Sequence, residues 1–265
     1  MHADPGASNW GALAVLTADP GGTAILTDFD GSIAPIVGNP GDARPLPGAV
    51  EALAALAERF GVVGVISGRP ASYLMEHLGG VGDRVRLIGL YGLERVVGNV
   101  VRTSPEAEAW RGTVDRVVDA ARGLAPPGVV IESKGISVTL HWRGAVEQES
   151  WAVAFGTQWC KSSGLTLQSG RLAIELRPPI PGDKGMAVEE LSSGCSAACF
   201  LGDDQGDLPA FAALERLAAS GMSTVRIAVG SIESPDALLA SADLVVEGPD
   251  EALAVLKHLA QLPAL

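Results

Sequence analysis

ILTDFDGSIAPI, residues 25–36, sets two aspartates two positions apart directly behind an apolar run, with a glycine after them. A short run of apolar and β-branched residues closed by turn residues reads as a buried strand, here residues 23–27 (TAILT). Ending such a strand in two like charges is unfavourable unless something positive holds them. An Asp-x-Asp alone is ordinary turn chemistry, because aspartate bonds its own backbone. The rest of the chain therefore decides what this one is for.

Reading outward, residues 47–60 (PGAVEALAALAERF) form an amphipathic helix pattern, 62–66 a β-branched strand, 71–78 a helix and 85–90 a strand. Strand, helix, strand, helix, strand predicts a parallel sheet with crossover helices. The texture changes after residue 95. Residues 96–102 read as two short strands around a Gly98-Asn99 turn, and 104–124 as a helix with Ser104 as cap and Pro105 at its first position. Residues 129–142 read as a hairpin turning at Lys134-Gly135, 146–163 as a helix, and 165–176 as a hairpin turning at Ser169-Gly170. The first texture then returns: helix 184–191, strand 197–201, helix 208–219, strands 224–229 and 244–246, helix 249–261. The pattern predicts an α/β core with a parallel sheet, residues 1–96 and 178–265, interrupted by an inserted α+β module, residues 97–177. A length of 265 residues is enough for both.

The formal net charge of −12 builds no basic stripe, so nucleic acid is not an expected partner. Lysine is scarce, with only Lys134, Lys161, Lys184 and Lys257. The three cysteines (Cys160, Cys195, Cys199) are odd in number and make no metal-ligand spacing, which predicts idle thiols in a reducing compartment. The start of the chain lacks a basic leader, and its apolar run 12–16 is too short for a signal-peptide core or a membrane span. A cytoplasmic monomer with no membrane partner is the expectation.

Ligands of open parallel sheets bind beyond the carboxyl ends of the strands. Asp28 and Asp30 fall there, as do Ser67 in Ile66-Ser67-Gly68-Arg69 and the acidic run Asp203-Asp204-Gln205-Gly206-Asp207. Lys184 opens a helix, where a cation is disfavoured by the helix dipole unless an anion is present. Hard oxygen ligands at this density suit Mg²⁺. A carboxylate can attack phosphorus to form an acyl phosphate, and a second carboxyl can protonate the leaving oxygen and then activate water. A serine, a lysine and the ion can hold the phosphoryl oxygens.

In that order, Asp28-x-Asp30-Gly31, Ser67, Lys184 and Gly202-Asp203-Asp204-x-x-Asp207 resemble the four motifs of the haloacid-dehalogenase-like (HAD) phosphatases. More narrowly, DFDGSIAPI, ISGRP, GLYGLE, IESKGISVTLHWR, AIELRP, DKGMA and FLGDDQGDLPAF resemble the trehalose-6-phosphate phosphatase family, from about residue 25 to about 259. The resemblance implies a Rossmann-like HAD core with the module as a cap that selects substrate. It implies Mg²⁺-dependent hydrolysis of a phosphorylated sugar, trehalose 6-phosphate or another sugar phosphate or glycosyl ester, through an aspartyl phosphate. Asp28 would be the nucleophile and Asp30 the acid/base, with Ser67 and Lys184 holding the phosphate and Arg69 nearby as a substrate-binding residue. Mg²⁺ would sit on Asp28, the Asp30 carbonyl and Asp203, with Asp204 and Asp207 close behind. Glu132, Lys134, His141, Arg143 and Glu175, in the cap, would face the sugar, and Glu94 would also bind substrate. Ser32, Tyr91, Gly206 and Leu208 depart from the usual family residues. A phospho-accepting receiver domain gathers similar groups, but has its acidic pair early and no acid/base two residues after the phosphorylated aspartate. An inert sugar-phosphate binder would have lost the nucleophile or the lysine, and both are present.

Overall fold

A computed structural model describes residues 10–232 and 234–262. The first nine residues, part of the stretch read above as lacking a leader, lie outside the described residues. In chain order the elements begin with α1 (Ala14–Thr17), β1 (Thr23–Thr27), α2 (Ala49–Arg59), β2 (Val62–Ile66), α3 (Ala71–Leu78), β3 (Val85–Gly89), β4 (Glu94–Val97) and β5 (Val100–Thr103). There follow α4 (Pro105–Glu108), α5 (Arg111–Leu124), β6 (Val130–Ser133), β7 (Val138–His141), α6 (Glu149–Ser163), β8 (Thr166–Gly170) and β9 (Ala173–Arg177). The chain ends with α7 (Lys184–Leu191), β10 (Ala197–Gly202), α8 (Leu208–Ala219), β11 (Ser223–Gly230), α9 (Asp236–Ser241), β12 (Leu244–Glu247) and α10 (Gly248–Gln261).

Two compact units result. One holds the chain up to Arg102 and again from Gly182, and the other runs Thr103–Pro181. The larger unit is built on a sheet of order β12-β11-β10-β1-β2-β3-β4-β5. Its first six strands pair in parallel, and β4 is antiparallel to β3. Both faces are covered, which is why β1 and β10 are buried along their whole length rather than alternately. Ile25, Val63, Cys199 and Ile227 point into one core with α2, α3 and α10. Leu26, Ile66, Phe200 and Ala228 point into the other with α7, α8 and α9. The α/β, parallel-sheet class expected from the residue pattern is the one seen.

The smaller unit has a four-stranded antiparallel sheet, β6-β7-β9-β8. Its apolar face (Ile131, Leu140, Ile174, Leu167) packs on Val114, Val117 and Phe155 of α5 and α6. Because strand side chains alternate, the opposite face carries the polar set, and the register lines up Glu132, Thr139, Glu175 and Gln168 in one row.

Three local expectations need correcting. The helix read over 104–124 is two: α4 ends in a tight turn with the Trp110 N–H on the Ala107 carbonyl, and α5 restarts at Arg111. Ser104 does cap the first, accepting the Ala107 N–H. The second hairpin turns at Arg171-Leu172 rather than at Ser169-Gly170, with Leu172 in the left-handed region at φ 51° and Gly170 still paired with Ala173. The helix read from residue 146 opens with a 3-10 turn, Val146–Gln148, before α6. The Gly98-Asn99 turn is as expected, with φ 57° and 58° at its two central residues. No helix among the described residues is long and apolar enough to cross a membrane, and Cys160, Cys195 and Cys199 are all unbridged.

Candidate active site

Parallel pairing delivers the carboxyl ends of β1, β2 and β10 to one edge of the larger unit. The ladder runs one residue past β1, where the Asp28 N–H donates to the Leu201 carbonyl at 2.8 Å. The chain then turns at Gly31, whose φ is 75°. A Cβ there would lie 2.0 Å from Asp203 Oδ2, so only glycine admits the β10 loop so close to the Asp-x-Asp turn. A Cβ on Gly202 would likewise fall 2.4 Å from the Asp207 carboxyl carbon, and its absence lets that side chain fold back under the strand end.

Lys184, 3% exposed, sets its ammonium between two carboxylates. It donates to Asp207 Oδ1 at 2.6 Å and pairs with Asp28 Oδ1 at 2.9 Å. Asp207 accepts the N–H groups of Asp203 and Asp204 through Oδ2, at 2.8 and 3.1 Å, which fixes the loop. The helix start that looked electrostatically wrong for a lysine is thus satisfied by the protein itself: Asp183 caps the helix through the Met186 N–H, and Asp28 and Asp207 supply the negative charge.

Oxygens of Asp28, Asp203 and Asp207 all lie within 4.8 Å of one another, and all three residues are buried. Burial raises Asp28 well above the usual carboxylate range. Lys184 pulls it back, while Asp207, Asp204 and Asp30 push it up. Asp203 is raised by burial and then by Asp207 and Asp28. Asp207 is pushed up to about 6, by burial first, against the pull of Lys184. Burial opposes the charge on Lys184, but Asp207 and Asp28 outweigh it and hold the ammonium protonated. Three carboxylates facing one ammonium leave an excess of negative charge in a buried space. An all-oxygen donor set of this kind fits a hard divalent cation.

The other candidates are placed as follows. Ser67 is buried just past β2, and its Oγ accepts the Arg69 N–H at 3.1 Å. The Asp30 carboxylate is held by Arg69 through two bonds, Nε to Oδ2 at 2.7 Å and Nη2 to Oδ1 at 2.6 Å. Asp204 is exposed, and its side chain caps the turn Gln205–Asp207 through the Gly206 N–H. Glu94, read as substrate-binding, is buried, and its Oε2 accepts the Ala71 N–H at 2.9 Å, anchoring the start of α3. Tyr91, at φ 59°, lies against Gly68, where a Cβ would meet its hydroxyl at 2.6 Å.

In the smaller unit, Glu132 meets His141 Nε2 at 2.8 Å, and Glu175 pairs with Lys134 at 3.5 Å and accepts from Ser137 Oγ at 2.5 Å. Arg143 lies half-buried in the turn after β7. Two polar residues of the same face escaped the reading of the sequence. Gln168 accepts from Arg177 Nη1, and Thr139 is buried with no hydrogen-bond partner for its hydroxyl among the described residues. Only strand register, not motif, singles them out.

A family-wide sequence model described as Trehalose-phosphatase matches residues 26–243. The chain is 31% identical over 219 residues to the trehalose-phosphate phosphatase of Mycobacterium leprae, covering 76% of this chain and 50% of that protein. It is 33% identical over 204 residues to that of Mycolicibacterium paratuberculosis, covering 72% and 51%. It therefore spans about half the length of the curated relatives it matches. Among solved structures, a trehalose-6-phosphate phosphatase related protein superposes with a TM-score of 0.76 at 23% identity, covering 89% of this chain and 96% of the other. The C-terminal domain of the C. albicans trehalose-6-phosphate phosphatase gives 0.75 at 21% identity, covering 94% and 98%. On the strength of the family-wide match across most of its length, the chain belongs to the trehalose-phosphatase family.

Proposed function

We propose that the protein is a phosphomonoesterase that converts trehalose 6-phosphate and water to trehalose and phosphate. The observation that carries this reading is the buried Asp28–Lys184–Asp207 cluster at the carboxyl edge of the sheet, with Asp203 beside it. An oxygen of Asp28 attacks phosphorus, the bond from phosphorus to the sugar oxygen breaks, and Asp30 gives that oxygen its proton. Water then attacks the aspartyl phosphate, Asp30 takes the proton, and phosphate leaves with Asp28 restored. Lys184 neutralises charge on the phosphoryl group and on Asp28. Ser67, at the end of β2, holds a phosphoryl oxygen. Asp28, Asp203, Asp207 and the Asp30 carbonyl would hold Mg²⁺, with Asp204 next to them. The ion supplies positive charge for the phosphoryl oxygens when bound.

The polar row Glu132, Thr139, Glu175 and Gln168, with Lys134, His141 and Arg143 near it, is assigned to the sugar hydroxyls. Its support is that buried hydroxyls and carboxylates on a sheet face are suited to polyol recognition, and that such pockets reject analogues lacking those groups strongly. The formal net charge of −12 and the three unbridged thiols support a cytoplasmic protein acting on a small molecule rather than on nucleic acid.

The test is release of inorganic phosphate from a panel of sugar phosphates with Mg²⁺, comparing wild type with Asp28→Asn. The expected result is preference for trehalose 6-phosphate and a loss of at least ~10⁴-fold in kcat for the variant, in the range seen when a nucleophile is removed. Intact turnover in the variant would end the nucleophile assignment. Preference for another sugar phosphate would move the substrate and leave the reaction in place.

A further inference from the structure

Arg69, expected near the phosphate, turns its guanidinium to Asp30. Two of its N–H groups grip both oxygens of Asp30, at 2.7 and 2.6 Å, and a third, on Nη1, donates to the Pro40 carbonyl at 2.7 Å. The plane is covered by Tyr73, whose ring centroid lies 4.7 Å from the guanidinium carbon and whose hydroxyl donates to the Ala43 carbonyl. Tyr73 is itself wedged edge-on against Phe29, the residue between the two aspartates. The arginine side chain is 9% exposed, while that of Asp30 is 32% exposed. A rigid fork, fixed from three sides, thus presents a more open carboxylate.

We infer that Arg69 is the positioning residue of Asp30: the side-on guanidinium fork, clamped by Pro40 and Tyr73, sets the angle at which the Asp30 carboxyl meets the leaving oxygen. This rests on the reading of Asp30 as the acid/base. The planar fork matters more than the charge, because a lysine gives a point ammonium without two parallel N–H groups.

The experiment compares the first turnover of trehalose 6-phosphate with that of p-nitrophenyl phosphate, with Mg²⁺, in wild type, Arg69→Lys, Arg69→Ala and Asp30→Asn. A sugar alkoxide leaves only with a proton, whereas nitrophenolate leaves without one. Loss of a well-placed general acid costs ~10²–10⁴-fold on a step that needs it. Both Arg69 variants are expected to slow trehalose release by ~10²-fold and nitrophenolate release at least tenfold less, with Arg69→Lys failing to rescue. The double variant Asp30→Asn with Arg69→Ala is expected to be no slower in trehalose release than Asp30→Asn alone.

Equal losses on the two esters would overturn the inference, and an accompanying rise in the inhibition constant of inorganic phosphate would return Arg69 to the phosphate. If Asp30→Asn itself shows no bias between the esters, the acid/base reading falls and the inference with it. Bias in Asp30→Asn but not in the Arg69 variants sinks the inference alone. Thermal melting of each variant separates a lost fold from a misplaced acid, and Arg69→Lys keeps the test open if Arg69→Ala does not fold.

Discussion

Lys184 does two jobs with one charge, and the carboxylates around it are in excess. In the metal-free protein this has a pH signature. Asp207 has an ordinary value of 3.8 and is pushed up to about 6 by burial, with Asp28 and Asp203 raised in the same direction. A carboxyl whose folded value lies above its unfolded one binds more protons folded than unfolded between the two. Its contribution to stability is present below the unfolded value and is lost as pH rises through the folded value, here from about 4 to about 6. A divalent cation needs the deprotonated cluster, so it offsets this loss at high pH and competes with protons at low pH. Melting temperature with and without Mg²⁺ is therefore expected to differ more at pH 7.5 than at pH 5. An equal or larger difference at pH 5 would mean that the ion binds somewhere other than this cluster. The residues of the cluster were legible in the sequence because each lies directly after an apolar strand or at a helix start. What was not legible is that Asp207 turns back to bond the loop backbone, or that Arg69 turns to Asp30, since both depend on side-chain direction.

Helix α3 shows how an element borrows a partner from far along the chain. It starts after Pro70, which offers no side-chain cap, and the carboxylate that accepts the Ala71 N–H comes from Glu94 on β4. Leu90 and Tyr91, both at positive φ, make the turn between β3 and β4 and bond the backbone of Arg69 and Ser67. Glu94 therefore belongs to the support of the loop that carries Ser67 and Arg69. Glu94→Ala is expected to cost ~1–2 kcal/mol by denaturant titration, the usual value of a lost N-cap, and Glu94→Gln less than half of that. Equal losses would show that the negative charge, rather than an acceptor, is what α3 requires. A local cap was readable in advance, since Ser104 sits three residues before the N–H it accepts; Asp183 caps α7 at the same spacing. Glu94 was not, because nothing in a linear pattern ties it to residue 71. The displaced turn at Arg171-Leu172 has a related cause: glycine attracts a turn assignment, yet pairing between Gly170 and Ala173 puts a leucine in the left-handed position instead.

At the scale of the whole molecule, chemistry and recognition are assigned to different compact units, each with its own core. Thr139 offers a clean probe of the second. Its hydroxyl is buried and unpartnered among the described residues, so replacing it by valine removes no internal bond. Thr139→Val is expected to change stability by under ~1 kcal/mol, and to lower the preference for trehalose 6-phosphate over p-nitrophenyl phosphate by roughly tenfold. Unaltered preference would remove that face from sugar recognition. The alternating strand–helix texture made the sheet class readable, whereas the row Glu132–Thr139–Glu175–Gln168 appears only once four strands are in register. The order of strands carries a last consequence. β1 bears Asp28, and its neighbour β10 comes so late that Ser196 meets Gly22 across 174 positions. During synthesis on the ribosome, the first half-sheet waits with an unpaired apolar edge until the second half emerges. Any nascent fragment ending short of residue 197 lacks both β10 and the acidic loop that follows it, so it has no strand to cover that edge and is expected to aggregate.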